Sequence, residues 1–189
     1  MNKGFSIGLV VIILVIVIAI VATSSYNGLV VKREEVDTQY ANLDTVLQRR
    51  ADLIPNLVST VKGYVSHEEN IIKEITDARA KLTNSSNVSE QAEANAELTE
   101  KINALMVVVE NYPDLKASTN FTQLSDELAG TENRISTARM DYNSAVKDYN
   151  TSIKKLPTST FANMFGFEAA TYFEATEKGK EVPVVDFGE

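Results

Sequence analysis

The sequence predicts an all-α protein in which one N-terminal transmembrane helix is followed by an antiparallel bundle of four long amphipathic helices. Lys3 is the only charged residue before Lys32, and the stretch from residue 7 to residue 22 is almost wholly Ile, Val, Leu and Ala. After this stretch, apolar residues recur at steps of three and four, which places them on one face of a helix. We therefore divide the chain into a short tail (1–5), an anchor (6–25), a helical bundle (26–156) and an aromatic-rich, partly irregular segment (157–189).

The apolar stretch is long enough to cross a bilayer. A spanning helix needs roughly 20 apolar residues, and we place it at about Ser6–Ser25. A cleavable signal peptide is the alternative, because Ala22, Thr23 and Ser24 are small residues of the kind found at cleavage sites. Since a signal peptide has an apolar core of only about 7–15 residues after a basic start, an uncleaved anchor is favoured.

The charges beside the anchor predict its orientation. Lys32 and Arg33 follow it, whereas only Lys3 and the amino terminus precede it. Basic residues accumulate on the cytoplasmic side of a membrane helix. We therefore expect a single-pass protein of the cell membrane with a short N-terminus outside and the C-terminal domain in the cytoplasm.

The first amphipathic stretch continues the anchor helix from Tyr26 to about Tyr64. Pro55 lies inside it, and a proline removes one backbone donor and clashes with the preceding turn, so we expect a kink there. The apolar stripe of this helix needs partner helices from elsewhere in the chain. The stripe consists of Val36, Tyr40, Leu43, Leu47, Ile54, Leu57, Val61 and Val65.

The break between the first and second helices is predicted by local residues. Gly63 favours a stop, and the sequence SHEE at 66–69 resembles a capping box in which Ser66 closes on Glu69. We expect the second helix to begin at His67, with one unbroken rod as the alternative. It ends in the sequence TNSSNVS, a Ser and Asn cluster that is typical of a loop.

Two further helices complete the predicted bundle. Ser89 opens the third helix, and the Tyr-Pro pair at 112–113 ends it. Residues 114–120 form a connection, and the fourth helix runs from about Phe121 until Pro157 stops it. The stripe of the third helix is Leu98, Ile102, Leu105, Met106 and Val109, and that of the fourth is Phe121, Leu124, Leu128, Ile135, Tyr142, Val146, Tyr149 and Ile153.

The last residues differ from the helices in composition. Their ending, VPVVDFGE, favours an extended conformation because of Pro183 and the Val pair. The aromatic side chains either cap the open end of the bundle, which we favour, or lie in the membrane interface as anchors. These apolar residues are Phe161, Met164, Phe165, Phe167, Tyr172, Phe173 and Phe187.

Three long blocks of this sequence resemble the LemA family. They are REEVDTQYANLDTVLQRRADLIPNLVSTVKGYVSHE, NYPDLKASTNFTQLSDELAGTENRISTARMDYNSAVKDYN and FGFEAATYFEA, and together they extend over most of the chain after the anchor. The resemblance implies a membrane-anchored, all-helical protein and agrees with the cytoplasmic orientation. It implies no particular biochemical activity.

Composition excludes several classes of function. After the anchor the net charge is −9, because Lys3 is the only charge before it and the whole chain carries −8. This balance argues against nucleic acid and against a polybasic surface for anionic lipids. The chain contains no cysteine, which excludes disulfides, thiolate catalysis and thiolate metal sites.

No motif predicts a catalytic, cofactor-binding or metal-ligating residue. His67-Glu68-Glu69 resembles the start of a zinc-protease helix, but the second histidine of that motif is replaced by Ile71, and His67 is the only histidine. There is no nucleophile elbow and no glycine-rich phosphate loop. The many acidic residues lie mostly on predicted solvent faces.

Most charged residues lie outside the apolar stripes of the predicted helices, but two arginines lie on them. Arg50 and Arg139 project onto the stripes of the first and fourth helices, where an unpaired charge is costly. If these helices are antiparallel, Arg50 lies opposite Glu132, and Arg139 lies opposite Asp44 to within one residue. We therefore predict two cross-helix ion pairs, with snorkelling of both arginines to solvent as the alternative.

These features predict a scaffold that is not an enzyme. We expect it to act at the bacterial cell membrane through contacts with other proteins or with copies of itself. One alternative is a membrane-shaping or envelope-stress protein that acts on the bilayer, and another is a hydrolase that uses acidic residues and a metal ion. The expected partners are the lipid bilayer and unidentified proteins, with no nucleic acid, cofactor or small-molecule substrate.

Overall fold

The computed structural model describes residues 3–65 and 68–174, and all regular secondary structure within these ranges is helical. The prediction of an all-α protein is therefore confirmed. The extended conformation predicted for VPVVDFGE falls outside the described residues. The six helices are α1 (Lys3–Lys62), α2 (Glu69–Asn84), α3 (Val88–Val109), α4 (Pro113–Lys116), α5 (Thr119–Lys154) and α6 (Thr158–Met164).

The chain forms two compact units. Among the described residues, the span unit contains 3–40 together with Tyr142–Ala170, and the bundle unit contains 41–65, 68–141 and 171–174. Helices α1 and α5 each contribute residues to both units.

The bundle unit is an up-down-up-down arrangement of α1, α2, α3 and α5. Lys81 pairs with Glu97 at 2.6 Å and Lys101 with Glu74 at 3.2 Å, so α2 and α3 are antiparallel. Arg50 of α1 pairs with Glu132 of α5 at 2.7 Å. The apolar core of the bundle unit consists of residues at the helical spacing that the sequence predicts. Its members include Ile54, Leu57, Val61, Ile75, Leu82, Leu98, Leu105 and Leu128.

Pro55 lies within the continuous helix α1. Because proline has no N–H, the carbonyl of Ala51, four residues earlier, loses its usual helical donor. The Nε–H of Arg79 on α2 donates to this carbonyl at 2.7 Å. A side chain of a neighbouring helix thus satisfies the group that Pro55 leaves open, and the kink at this position stays a prediction.

The break between α1 and α2 is confirmed, but the start of α2 is not at His67. Helix α1 ends at Lys62, and α2 begins at Glu69 after Glu68, whose side chain caps no backbone N–H. Ser66 and His67, which carry the predicted capping box, lie outside the described residues. Glu68 instead accepts a hydrogen bond from the Tyr112 hydroxyl at 3.3 Å.

The start of α3 was assigned to the wrong residue. Asn87, not Ser89, caps the helix, because its Oδ1 accepts from the N–H of Glu90 at 2.9 Å. The Glu90 carboxylate in turn accepts from the N–H and hydroxyl of Ser86, and these bonds lower the pKa of Glu90. The prediction missed this reciprocal cap because it took Ser89 as the opening residue.

Two short helices were also missed. Helix α4 lies in the segment expected to be a plain connection, and it begins at Pro113, because proline is well suited to the first turn of a helix. Helix α6 lies in the partly irregular C-terminal segment. The leucine of α4, Leu115, is fully buried.

In the span unit, the end of α5 lies antiparallel to α1. The rings of Tyr40 and Tyr142 have centroids 5.7 Å apart, and the Arg33 guanidinium lies 5.9 Å from the centroid of the Tyr149 ring. As residue numbers decrease along α1 from Tyr40 to Arg33, the numbers of their contacts on α5 increase from Tyr142 to Tyr149. The deeply buried side chains of this unit include Leu29, Val36, Val146 and Tyr149.

Candidate functional site

The most unusual group in the bundle unit is Arg50. Its side chain is only 3% exposed, and its Nη1 contacts Glu132 at 2.7 Å. The same nitrogen donates to Asn95 Oδ1 at 2.8 Å and to Thr99 Oγ1 at 2.9 Å. The predicted ion pair between Arg50 and Glu132 is confirmed, and two residues of α3 complete the surroundings of the guanidinium.

Charge and burial oppose each other at this group. Burial lowers the pKa of the Arg50 guanidinium, and the negative charge of Glu132 partly offsets that effect. Asn95 and Thr99 provide neutral acceptors, which satisfy hydrogens without adding another charge. Because Nη1 has two hydrogens, which Asn95 and Thr99 receive, the Glu132 contact is mainly electrostatic.

Arg50 also lines a cleft of 530 Å³ between α1, α3 and α5. Its Nε and the buried hydroxyl of Ser125 have no hydrogen-bond partner among the described residues. The apolar side chains of Ile102, Met106 and Leu128 line the same cleft. The arrangement offers a few polar atoms in an otherwise apolar surrounding, where water can bind them.

The second predicted ion pair, Arg139 with Asp44, is wrong. Arg139 is exposed and forms no ion pair among the residues described. Asp44 instead accepts from Gln48 at 2.7 Å and from Gln91 of α3 at 2.7 Å. The prediction tolerated an offset of one residue, which rotates a side chain by about 100° around a helix and removes it from the facing stripe.

Within the ranges 3–65 and 68–174, no group of three or more His, Asp or Glu side chains is placed to hold a metal ion. His67, the only histidine of the sequence, lies outside these ranges.

One described helix, α1, is long and apolar enough to cross a membrane. Along its apolar stretch, the side chains from Leu9 to Ile18 are each at least 50% exposed. This exposure contrasts with Leu43 and Leu57 further along the same helix, which are 0% exposed. The residues from Leu9 to Ile18 are therefore open to the surroundings of the helix, whereas Val21, Ala22 and Ser25 near its end are half-buried.

The aromatic C-terminal segment packs beside the end of this apolar stretch. The ring of Tyr26 meets those of Phe165 and Phe167 edge to face, with centroids 5.2 Å and 5.7 Å apart. Phe173 is buried, whereas Phe165 and Tyr172 are exposed. Phe187 lies outside the described residues.

Backbone and side-chain hydrogen bonds hold the segment in place on α5. The Asn150 amide donates to the Ala170 carbonyl and accepts from the Ala170 N–H, both at 2.8 Å. The Tyr149 hydroxyl donates to the Glu168 carbonyl at 2.9 Å. The sequence analysis missed Asn150, whose amide offers one donor and one acceptor on the stripe side of α5 and is 7% exposed.

The chain is similar to several known bacterial proteins. Magnetosome protein MamQ 2 of Paramagnetospirillum magneticum is 26% identical over 98% of this chain and 78% of its own length. Protein LemA of Metamycoplasma hominis is 26% identical over 80% of this chain and 69% of its own length. Magnetosome protein MamQ of Magnetospirillum gryphiswaldense is 22% identical over 85% of this chain and 68% of its own length.

The apolar helix, the helical bundle and these relatives define a membrane-associated helical protein. The profile of the LemA family matches residues 39–187, which extend through the bundle and the aromatic segment. The chain belongs to the LemA family.

Proposed function

We propose that this protein is a membrane-anchored scaffold that acts through contacts with other proteins or with copies of itself and catalyses no reaction. The observation that carries the proposal is the composition of α1. One helix provides both the apolar stretch and core residues of the bundle such as Leu43 and Leu57. The bundle is thereby tethered to the bilayer by one of its own core elements.

The polar groups of the bundle support a structural role. Arg50, Glu132, Asn95 and Thr99 come from three helices, and Arg50 Nη1 contacts each of the other three residues. We expect this buried polar cluster to fix the register of the three helices.

Photo-crosslinking in the native membrane tests the proposal. A crosslinking amino acid at Val107, which is 71% exposed on α3, or at Met140, which is 60% exposed on α5, should capture a second chain. These positions are chosen because each is an exposed apolar side chain on a long helix of the bundle unit. The matched control is the same amino acid at Glu100 of α3, whose side chain is 75% exposed and charged.

The expected result is an adduct of defined mass from Val107 or Met140 that is much weaker from Glu100. The mass of the full chain in detergent then separates self-association from a different partner. A strict monomer that forms no adduct at any position contradicts the scaffold proposal, and turnover of a substrate by the purified chain contradicts the absence of a reaction.

The orientation is part of the same proposal. Lys32 and Arg33 after the apolar stretch favour a cytoplasmic bundle. Protease added to intact cells should then leave the bundle uncut, and permeabilised cells should lose it. Cleavage in intact cells places the bundle outside.

A further inference from the structure

We propose that the segment from Leu156 to Phe167 is a second bilayer contact, which lies in the interfacial layer beside the point where α1 leaves the membrane. The proposal rests on the anchoring of α1 but not on a protein partner, so it can fail independently of the scaffold function.

The position of the segment follows from Tyr26. Tyr26 is the first residue after the predicted span (6–25), and a helix rises about 1.5 Å per residue, so its backbone lies at the edge of the hydrocarbon. The interfacial layer on each side of a bilayer is roughly 5–7 Å thick. Because the Phe165 ring centroid is 5.2 Å from that of Tyr26, Phe165 lies at interfacial depth.

The segment has the composition of an interfacial element. No charged residue occurs from Leu156 to Phe167, and Lys154 and Lys155 directly precede it. Aromatic rings are enriched at the headgroup level, and lysines there extend to the phosphates. The segment therefore places apolar groups next to the bilayer and positive charge beside the headgroups.

Three apolar side chains of the segment are exposed, whereas Phe161 and Phe167 are half-buried. Leu156 is 82% exposed, Met164 is 66% exposed and Phe165 is 43% exposed. Clusters of exposed apolar side chains indicate a membrane or protein contact. Since this cluster adjoins the apolar stretch of α1 through Tyr26, the bilayer that receives α1 is the occupant that the geometry favours.

Hydrogen bonds hold the backbone around this segment in place, so its exposed apolar side chains belong to the folded structure. Asn150 holds Ala170 by two bonds of 2.8 Å, and the Phe167 N–H donates to the Ala162 carbonyl at 2.9 Å. Ala162 itself is 1% exposed, so α6 is packed on its inner side. The inner side of α6 is therefore packed on the protein while Leu156, Met164 and Phe165 stay exposed.

Tryptophan fluorescence tests the proposal directly, because the chain contains no tryptophan. Single variants Met164→Trp and Leu156→Trp of the full chain are reconstituted into phosphatidylcholine vesicles with tails brominated near the headgroup or near the chain end. Glu100→Trp, in the bundle unit and with a side chain that is 75% exposed, is the water-facing control. Val17→Trp, within the apolar stretch, is the lipid-facing control.

We expect tails brominated near the headgroup to quench Met164→Trp and Leu156→Trp at least roughly twofold, as is typical of interfacial side chains. Tails brominated near the chain end should quench them less, and Glu100→Trp should be unaffected. Absence of quenching at both positions overturns the proposal. If their emission instead changes as the chain is diluted in lipid, a second copy covers the segment and the proposal is also wrong. If Val17→Trp is not quenched, α1 is not in the bilayer and the proposal fails with it.

Discussion

The bundle unit and the span unit bury different kinds of side chain. The core cluster of the bundle unit is almost entirely aliphatic, with Phe121 as its one buried aromatic residue among those described, and Phe173 is buried outside that cluster. In the span unit, the tyrosines Tyr142 and Tyr149 are 2% and 1% exposed. The ring contacts of Tyr26 and Tyr40 also belong to this unit.

Aliphatic side chains and tyrosines differ in the polar groups that they bring into a core. Aliphatic side chains at helical spacing fill the space between long helices with few polar atoms to satisfy. Tyrosine has an apolar ring and a polar hydroxyl, so a buried tyrosine needs a hydrogen-bond partner for its hydroxyl. The Tyr149 hydroxyl, which donates to the Glu168 carbonyl, is an example. The core of the span unit thus includes polar hydroxyl groups that the aliphatic core cluster of the bundle unit lacks.

Replacing a leucine by alanine should destabilise the bundle core far more than the apolar stretch of α1, and this is the largest difference that we expect. Leu98→Ala in the bundle unit, where Leu98 is 0% exposed, should lower the free energy of unfolding by about 2–5 kcal/mol because it leaves a cavity. Leu14→Ala in the apolar stretch, where Leu14 is 57% exposed, should change it by less than about 1 kcal/mol because lipid fills the space. Chemical unfolding of the full chain in detergent, followed by circular dichroism, measures both values.

Equal effects of the two substitutions would contradict the division into a packed core and a lipid-facing stretch. Val107→Ala provides the third point, because Val107 belongs to the bundle unit but is 71% exposed. Its effect should stay within about 0.5 kcal/mol.

The sequence predicted the fold class well because period and length decide it. The stripe residues of α1 from Val36 to Val61, Tyr40 apart, are buried where the spacing places them. Helix ends were predicted less well, because several Ser, Asn and Glu residues compete for each cap. Asn87 rather than Ser89 caps α3, and nothing in the spacing of apolar residues distinguishes them. Helix α4 was missed because four residues carry no period.

The second prediction concerns the buried charge that distinguishes the bundle core. Glu132→Gln should lower the free energy of unfolding by roughly 1–3 kcal/mol, because Arg50 keeps a buried charge without its counterion. The effect should be smaller than that of breaking a fully buried pair, since the Glu132 side chain is 47% exposed. Arg50→Met and the double variant complete a double-mutant cycle, which should give a coupling of about 1 kcal/mol.

The exposed pair of Lys73 and Asp77 on α2 is the matched control. Its side chains are 76% and 54% exposed, so Asp77→Asn should change the free energy of unfolding by less than about 0.5 kcal/mol. A coupling between Arg50 and Glu132 no larger than that of the control pair would mean that burial adds nothing to this interaction.

The two arginine predictions show what a sequence can give about a polar core. Arg50 was found because a charge on an apolar stripe needs a partner, and helix register supplied Glu132. Asn95 and Thr99 were missed because neutral polar residues on α3 look like any helix surface. Arg139 failed because register inferred from one pair is too coarse for a second pair six residues along α1, where a one-residue error turns the side chain out of the interface.

The smallest expected effect belongs to the span unit and depends on pH. Burial, together with neighbouring Tyr40, raises the pKa of Tyr142 to about 12, although Arg33 acts in the opposite direction. The folded state therefore holds the phenol proton more tightly than the unfolded state, whose tyrosine pKa is about 10. This contribution to stability is complete below about pH 10 and is lost as the pH rises toward 12.

The Tyr142→Phe variant has no phenol to ionise at this position. As the pH rises, its free energy of unfolding should therefore fall less than that of the unchanged chain, and the difference should be about 1 kcal/mol near pH 11. Urea unfolding at a series of pH values measures the two slopes, and the absorbance of tyrosinate follows the ionisation independently. If the free energies of unfolding of the two chains fall in parallel with pH, Tyr142 ionises as easily in the folded state as in the unfolded state. In that case the aromatic packing of the span unit would be no more protective than an ordinary protein surface, and the contrast with the aliphatic bundle core would lose its energetic basis.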